Sequence, residues 1–240
     1  AAKTALATAP PGLKAVIVDD GSPPGTWEGV PLPFEIRLAR RKENGGFAKA
    51  VNTGLREIPE GDVVLLNSDV VLSPGWYERV RETAARDWVG LVGIRLLYPD
   101  GKIQHGGGTL NAFGWFGHAG EGGPPWAIFT AVHGVPFVTG AFWYWPRRTI
   151  EEFGGLDEGY EMGVEDIDYC WTLNRAGKVV MYDGRACGIH ECGATRRRAN
   201  QRVGYESPEN IQRFADKHIL NAKPKGGVPT PAMRSAPLPG

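Results

Sequence analysis

The chain has 240 residues, 42% of them hydrophobic and 22% charged, an ordinary globular composition with enough length to bury a full core. Lysine plus arginine balance aspartate plus glutamate at 27 each, so bulk charge points to neither nucleic acid nor an acidic membrane surface. No apolar run reaches the roughly 18 residues that a membrane span needs, and no secretory signal is visible.

Leu13 to Val18 reads as a buried strand ending in Asp19-Asp20-Gly21-Ser22, and Phe34 to Leu38 alternates like a second strand. Phe47, Val51 and Leu55 share one face of a helix over 47–57, entered through Gly45-Gly46. Val63 to Leu66 is the third strand, an apolar, β-branched run of the kind buried on both faces of a parallel sheet. It leads into Asn67-Ser68-Asp69, where a carboxylate is costly unless paired, hydrogen-bonded or metal-bound. Ser73-Pro74-Gly75 stops the run, and Pro74 sits near the first turn of a helix through about Ala85. Val89 to Leu97 reads as a strand. Residues 100–126 are glycine- and aromatic-rich, too irregular for an element and long enough for a functional loop. Val135 to Trp145 is a strand interrupted at Thr139-Gly140, followed by a short helix from Arg147 to Phe153 that Gly154-Gly155 ends. Glu165 to Ala176 is a helix with a Gly177 C-cap, and Val179 to Tyr182 and Ala186 to Ile189 are short strands. From about Lys223 the chain has almost nothing to bury, so one domain is expected over 1–220 and a mobile tail over 221–240.

Strand, turn, helix and strand at this rhythm predict an α/β sheet, in which ligands bind beyond the carboxyl ends of the strands. Asp19, Asp20 and Asn67 to Asp69 sit at such ends, so the buried carboxylate is expected because it faces a site. Neither glycine-rich fingerprint of a P-loop or dinucleotide-binding protein follows a strand. Cys170, Cys187 and Cys192 lack paired zinc spacing and read as free thiols of a reducing compartment.

Four segments in order, VIVDDGS (16–22), RKENGGFAKAVNTG (41–54), VVLLNSDVVLSPGW (63–76) and FGGLDEGYEMGVEDIDYCWTLNRAGKVVMY (153–182), with His190 after them, resemble the family-2 glycosyltransferases of GT-A fold, especially the bacterial rhamnosyltransferase-like, cell-surface-polysaccharide branch. The resemblance covers roughly residues 5–215. It implies a mixed sheet flanked by helices and metal-dependent, inverting transfer of a sugar from a UDP- or dTDP-sugar to a saccharide or glycolipid hydroxyl. Mn2+ or Mg2+ would be the cofactor, because a divalent ion held by few carboxylates leaves room for phosphate oxygens. The implied location is the cytoplasm, at the inner face of the membrane, with peripheral membrane association.

The family's metal motif falls on Asn67-Ser68-Asp69, with Asp69 the main ligand and Asn67 offering a neutral oxygen or contacting ribose; the alternative is that Asp69 caps the following turn. Asp20 matches the family's base-recognising aspartate, with Asp19 and Ser22 beside it, although an Asp-Gly turn would also satisfy it. Gly45 and Gly46 would let backbone approach the donor, with Asn52 on the helix behind them, while Arg41 and Lys42 either meet phosphate or form an exposed basic run. Glu165-Asp166 matches the family's acidic pair, with Asp166 the general base, Glu165 the reserve, and Asp168 supporting the loop; the alternative is simple capping of the helix by acids. His190 lies against metal or diphosphate, or is structural. Arg196, within Thr195 to Arg198, would close over the diphosphate, or belongs to a solvated basic face. Trp115 and Trp126, with Phe116, His118 and Gly140, would serve the acceptor, whereas Trp143 and Trp145 are either part of that platform or core.

Ala1 to Leu6 matches only the end of the family's first helix, so the usual first strand is expected to be missing. The sheet would then re-pair across the gap, or a second chain, as in a homodimer, would cover the open edges. The rival reading is a non-catalytic nucleotide- or carbohydrate-binding module descended from such an enzyme.

Overall fold

The computed structural model describes residues 2–9, 11–32, 36–110, 116–161, 163–191 and 207–220. The elements are α1 (Ala2–Thr8), β1 (Ala15–Asp19), β2 (Ile36–Arg40), α2 (Phe47–Glu57), β3 (Val63–Leu66), β4 (Val70–Leu72), α3 (Trp76–Ala84), β5 (Val89–Leu97), β6 (Ile103–His105), β7 (Gly108–Leu110) and β8 (Phe116–His118). A 3-10 turn (Ala127–Thr130), β9 (Val132–Gly134), β10 (Phe142–Trp145), α4 (Arg147–Phe153), α5 (Glu165–Arg175), β11 (Val179–His190) and α6 (Pro208–Ala215) complete them, with a π turn over Asp216–Leu220. Among the described residues no helix is long and apolar enough to cross a membrane.

The main sheet has the order β3-β10-β5-β11-β4, with β6 added to β5 and β9 to β11. β5 and β11 run parallel, while β10 is antiparallel to both β3 and β5. The sheet is therefore mixed, and β3 is an edge strand of this sheet with only Val63 fully buried, not a central strand covered on both faces. β1 and β2 pair in parallel as a separate two-stranded sheet. Among the described residues no strand joins β1 to β3, so the expected re-pairing across the gap does not occur there.

β10 shows how the sequence builds the core. Its four residues, Phe-Trp-Tyr-Trp, are all buried and alternate between the two faces. Trp143 and Trp145 enter one core with α2 and α5, whereas Phe142 and Tyr144 enter the other with Trp76 and Val80 of α3 and Ala5 of α1. Trp143 Nε1 donates to the Val138 carbonyl at 3.0 Å and Trp145 Nε1 to the Tyr169 hydroxyl at 3.0 Å. Removing 150–250 Å2 of indole from water is worth about 4–6 kcal/mol, so both tryptophans belong to the core and not to an acceptor platform.

Three expectations are corrected. Residues 100–126 are not one irregular loop: β6 pairs with β5, and β7 with β8. The stretch 135–141 is not strand, and only 142–145 pairs. β11 is one long strand with an irregularity between Asp183 and Cys187, where two short strands were expected.

Candidate active site

The carboxyl end of β1 meets the Gly45-Gly46 turn through one carboxylate. Asp20 Oδ1 accepts from Arg41 Nε at 2.6 Å and from the Gly45 N–H at 3.0 Å, and Oδ2 accepts from the Gly46 N–H at 2.9 Å. A carboxylate has about four acceptor positions, so three are used in shaping the turn and one is left for a ligand. Asp19 is buried and accepts from the Ser22 N–H and from Arg40 Nε, both at 3.0 Å. Burial alone would raise its carboxyl, but Ser22 and Arg40 outweigh that and hold it below the usual range. Ser22 thus helps close this turn.

Gly21, at φ +80°, lets the two loops touch, since a Cβ there would lie 2.4 Å from the Asn44 nitrogen. Gly46, at φ +85°, lies so close to the segment before α5 that a Cβ would sit 2.7 Å from the Glu161 carbonyl oxygen. Gly46→Ala is accordingly expected to separate α2 from that segment, lowering Tm and the transfer rate together; thermal denaturation beside an activity assay checks this. Arg41 is tied to Asp20 and Thr53, and Lys42 is exposed, so Arg41 is held within the fold and Lys42 belongs to the solvated surface. Asn52 is engaged within the fold. Its Nδ2 donates to the Leu156 carbonyl and to Glu158, and its Oδ1 accepts from the Leu156 N–H, which pins α2 to the 154–158 turn.

Asn67, Ser68 and Asp69 form the turn between β3 and β4, with Asn67 and Asp69 half-buried and Ser68 exposed. β4 then pairs antiparallel with the end of β11, setting Val70 opposite His190. That register brings Asp69 Oδ1 to 3.1 Å from His190 Nε2, while the Asp69 carbonyl accepts from the Glu191 N–H. Buried Gln104 of β6 holds the other side of the imidazole, with Oε1 2.6 Å from Nδ1. Among the described residues no three histidine, cysteine or acidic side chains gather as a metal site. Two donors converge, one carboxylate oxygen and one ring nitrogen, and they fit a divalent cation whose other positions a phosphate ligand would fill.

Asp166 and Glu165 open α5. Glu165 is buried, whereas Asp166 keeps partial exposure. Asp166 Oδ2 accepts from the Gly140 N–H at 2.9 Å and Oδ1 from the Ile167 N–H at 2.8 Å. Burial raises its carboxyl above the ordinary value, against the opposing pull of those two N–H groups and of His118. Gly140 is buried and supports this carboxylate; it is not an acceptor surface. A Cβ on it would lie 3.0 Å from the Phe47 ring. Its neighbour Ala141 accepts from the Asn67 N–H at 2.9 Å, so one short segment links the Asn67–Asp69 turn to Asp166.

Val164, just before the acidic pair, is the one non-glycine residue with positive φ (75°) among those described. For a β-branched residue that conformation costs about 1–2 kcal/mol. It is held because Val164 is buried in the core, its carbonyl accepts from the Asp168 N–H, and Asn210 Nδ2 donates to the Gly163 carbonyl. Asp168 points away from Asp166 and accepts from the Tyr160 hydroxyl at 2.9 Å, Lys217 Nζ at 2.7 Å and His218 Nε2 at 2.7 Å. α6, which the sequence reading missed, is thus latched to the first turn of α5. Ser207, accepting from the Asn210 N–H, and Pro208 at the start were the available signal.

His118 was expected on an acceptor platform. It is instead largely buried, with Nδ1 2.6 Å from Nδ1 of fully buried His105. Burial lowers both imidazoles, His105 well below the ordinary value, so at neutral pH one ring donates Nδ1–H to the other's lone pair. Phe116 packs edge-on against Phe137, Trp171 and Phe214. Trp126 stands 65% exposed. Trp115, Arg196, Cys192 and the 221–240 tail lie outside the described residues, and Cys170 and Cys187 are free thiols. An open hollow of about 810 Å3 along α6, lined by Glu209, Gln212, Arg213 and Lys217 among others, contains none of the candidate site residues.

A mixed sheet with its acidic residues gathered at strand ends and a helix start is the GT-A architecture. The solved structure of GalNAc-T7 with UDP, GalNAc and Mn2+ superposes with a TM-score of 0.62 at 13% identity, over 90% of this chain and 50% of that one. The glycosyl transferase family 2 profile matches residues 2–152, and the chain belongs to that family. It is 30% identical to the O-antigen biosynthesis protein RfbC of Myxococcus xanthus over 161 residues, 62% of this chain and 12% of that protein. It is 26% identical to the N-acetylglucosaminyl-diphospho-decaprenol L-rhamnosyltransferase of Mycobacterium tuberculosis over 215 residues, 79% of this chain and 69% of that protein. The chain spans only 12% of RfbC, and 23%, 39% and 39% of three further matched relatives.

Proposed function

We propose that this chain transfers a sugar, with inversion, from a UDP- or dTDP-sugar to a hydroxyl of a saccharide or glycolipid acceptor. The observation that carries the reading is the Gly140–Ala141 segment, which bonds to Asp166 through one N–H and to the Asn67–Asp69 turn through one carbonyl. Donor diphosphate and attacking hydroxyl thereby meet on a shared backbone support. Asp166 takes the hydroxyl proton as that oxygen attacks the anomeric carbon opposite the departing diphosphate, and its raised carboxyl suits a general base. The N–H groups of Gly140 and Ile167 hold the carboxylate in place before and after it gains the proton. Asp20, with one acceptor position left beside the Gly45-Gly46 turn, takes the imide N–H of the base. A divalent cation held by Asp69 and His190 would neutralise charge building on the diphosphate. The imidazole donor favours Mn2+ over Mg2+.

The diphospho-decaprenol in one relative's name supports a lipid-linked acceptor and a working place at the membrane surface. Trp126 and Ile128, 65% and 72% exposed, would suit contact with such a substrate. One observation favours the rival, non-catalytic module: the β1–β2 sheet, which carries Asp19 and Asp20, is not joined to the main sheet among the described residues. Titration calorimetry with UDP and dTDP tests the donor site, and acceptor-dependent release of UDP or dTDP from a sugar nucleotide separates the two readings. Binding is expected with Mn2+, weaker with Mg2+, and lost on chelation or in Asp69→Ala. No binding from a folded chain would leave the rival standing.

A further inference from the structure

Gln104 lies on β6, is 7% exposed, and makes two bonds to one residue. Its Nε2 donates to the His190 backbone carbonyl at 3.2 Å, and its Oε1 lies 2.6 Å from His190 Nδ1. A carbonyl only accepts, so the first bond fixes which end of the amide is nitrogen. An amide oxygen also only accepts, so the second bond requires a hydrogen on Nδ1. That leaves Nε2 on the Asp69 side, 3.1 Å from Oδ1, as the ring atom whose lone pair is open to a cation once it carries no proton.

Resting on the donor-site reading above, we propose that Gln104 is a positioning residue: it holds His190 in the tautomer and orientation that present Nε2, beside Asp69 Oδ1, to a divalent cation with affinity for imidazole. The buried amide is shielded from water, so solvent cannot replace either bond when it is removed. Gln104 is neutral, so it fixes the ring without adding a second negative charge near Asp69. Outer-shell partners of metal-bound histidine commonly govern affinity by about 10–100-fold.

The test is Mn2+ binding to the full chain with saturating UDP, followed by electron paramagnetic resonance, with nitrogen coupling from the imidazole read by the pulsed method. Gln104→Leu is expected to weaken Mn2+ binding by about 10–100-fold and to diminish the nitrogen coupling. Gln104→Glu, which keeps an acceptor for Nδ1–H but loses the donor to the His190 carbonyl, is expected to retain the nitrogen coupling with Mn2+ affinity between wild type and the leucine variant. A purely structural role would lower Tm in the leucine variant without touching the coupling. Gln104→Met fills the same space with a flexible apolar chain and replaces the leucine variant if that one fails to fold. Unchanged affinity and coupling in the folded apolar variant, with Mn2+ binding lost in Asp69→Ala, would overturn the role of Gln104 and leave the donor site intact. Absence of Mn2+ binding by the wild-type chain would overturn the metal reading, and the role of Gln104 with it.

Discussion

Asp166→Asn is expected to lower the transfer rate by about 10²–10⁴-fold while leaving UDP binding and the fold unchanged, the loss that follows removal of a general base. Asparagine keeps an oxygen for the Gly140 or Ile167 N–H but cannot take the acceptor's proton. Steady-state kinetics beside calorimetry checks this, and a loss of donor affinity in place of rate would refute the assignment. Two further results follow from the raised carboxyl. The acid limb of the rate profile should lie above the ordinary aspartate value of 3.8, because the base must be ionised to act. Stability should move the opposite way. Between 3.8 and the raised value the folded state binds more protons than the unfolded chain, so stability falls as pH rises through that window and stays lowered above it. Asp166→Asn removes this cost at neutral pH, and its Tm at pH 7 should equal or exceed that of wild type, by a margin that shrinks in acid.

Asp168→Ala is expected to destabilise the chain by about 1–3 kcal/mol, the cost of leaving the buried donors of Tyr160 and His218 without their acceptor. Three donors converge on this carboxylate from Tyr160, Lys217 and His218. Burial would raise it, but the bonds to His218, Lys217 and Tyr160 hold it below the ordinary value. With the folded value depressed, its contribution is fully present above 3.8 and is lost as pH falls through the folded value. Denaturation followed by circular dichroism should show Tm lower by roughly 2–12 °C at neutral pH, with a smaller gap in acid. Because the same residue latches α6 to the first turn of α5, the turnover rate should fall even where the variant remains folded. A variant as stable as wild type at pH 7 would show that α6 is not held by this cluster.

Elements with a strong local pattern were read correctly in kind. The helix over Phe47–Glu57 follows its apolar spacing, α4 and α5 end where Gly154 and Gly177 adopt positive φ, and β5 matches its apolar run from Val89 to Leu97. The three-residue strands were not read: β4 takes its pairing from β11, far along the chain, while β6, β7, β8 and β9 are too short to show a period and mix polar or glycine residues with apolar ones. α6 was missed although its Ser207-Pro208 start was legible, because its eight residues carry few apolar positions to set a period.

For the site, the four motif segments in order were enough to indicate the family, and they nominated Asp69, His190 and Asp166 as residues to test. Residue type could not say what each carboxylate touches. Asp20 holds the Gly45-Gly46 turn, Asn52 ties α2 to a loop, and Gly140 donates to the Asp166 carboxylate. Nor could it show that Gln104 meets His190, or that His118 pairs with His105. A helix is closed by bonds between residues four apart, so its evidence lies along the chain. The site is closed by strand register and by side chains far apart in sequence, so its partners exist only once the sheet has set β4 against β11 and β6 against β5.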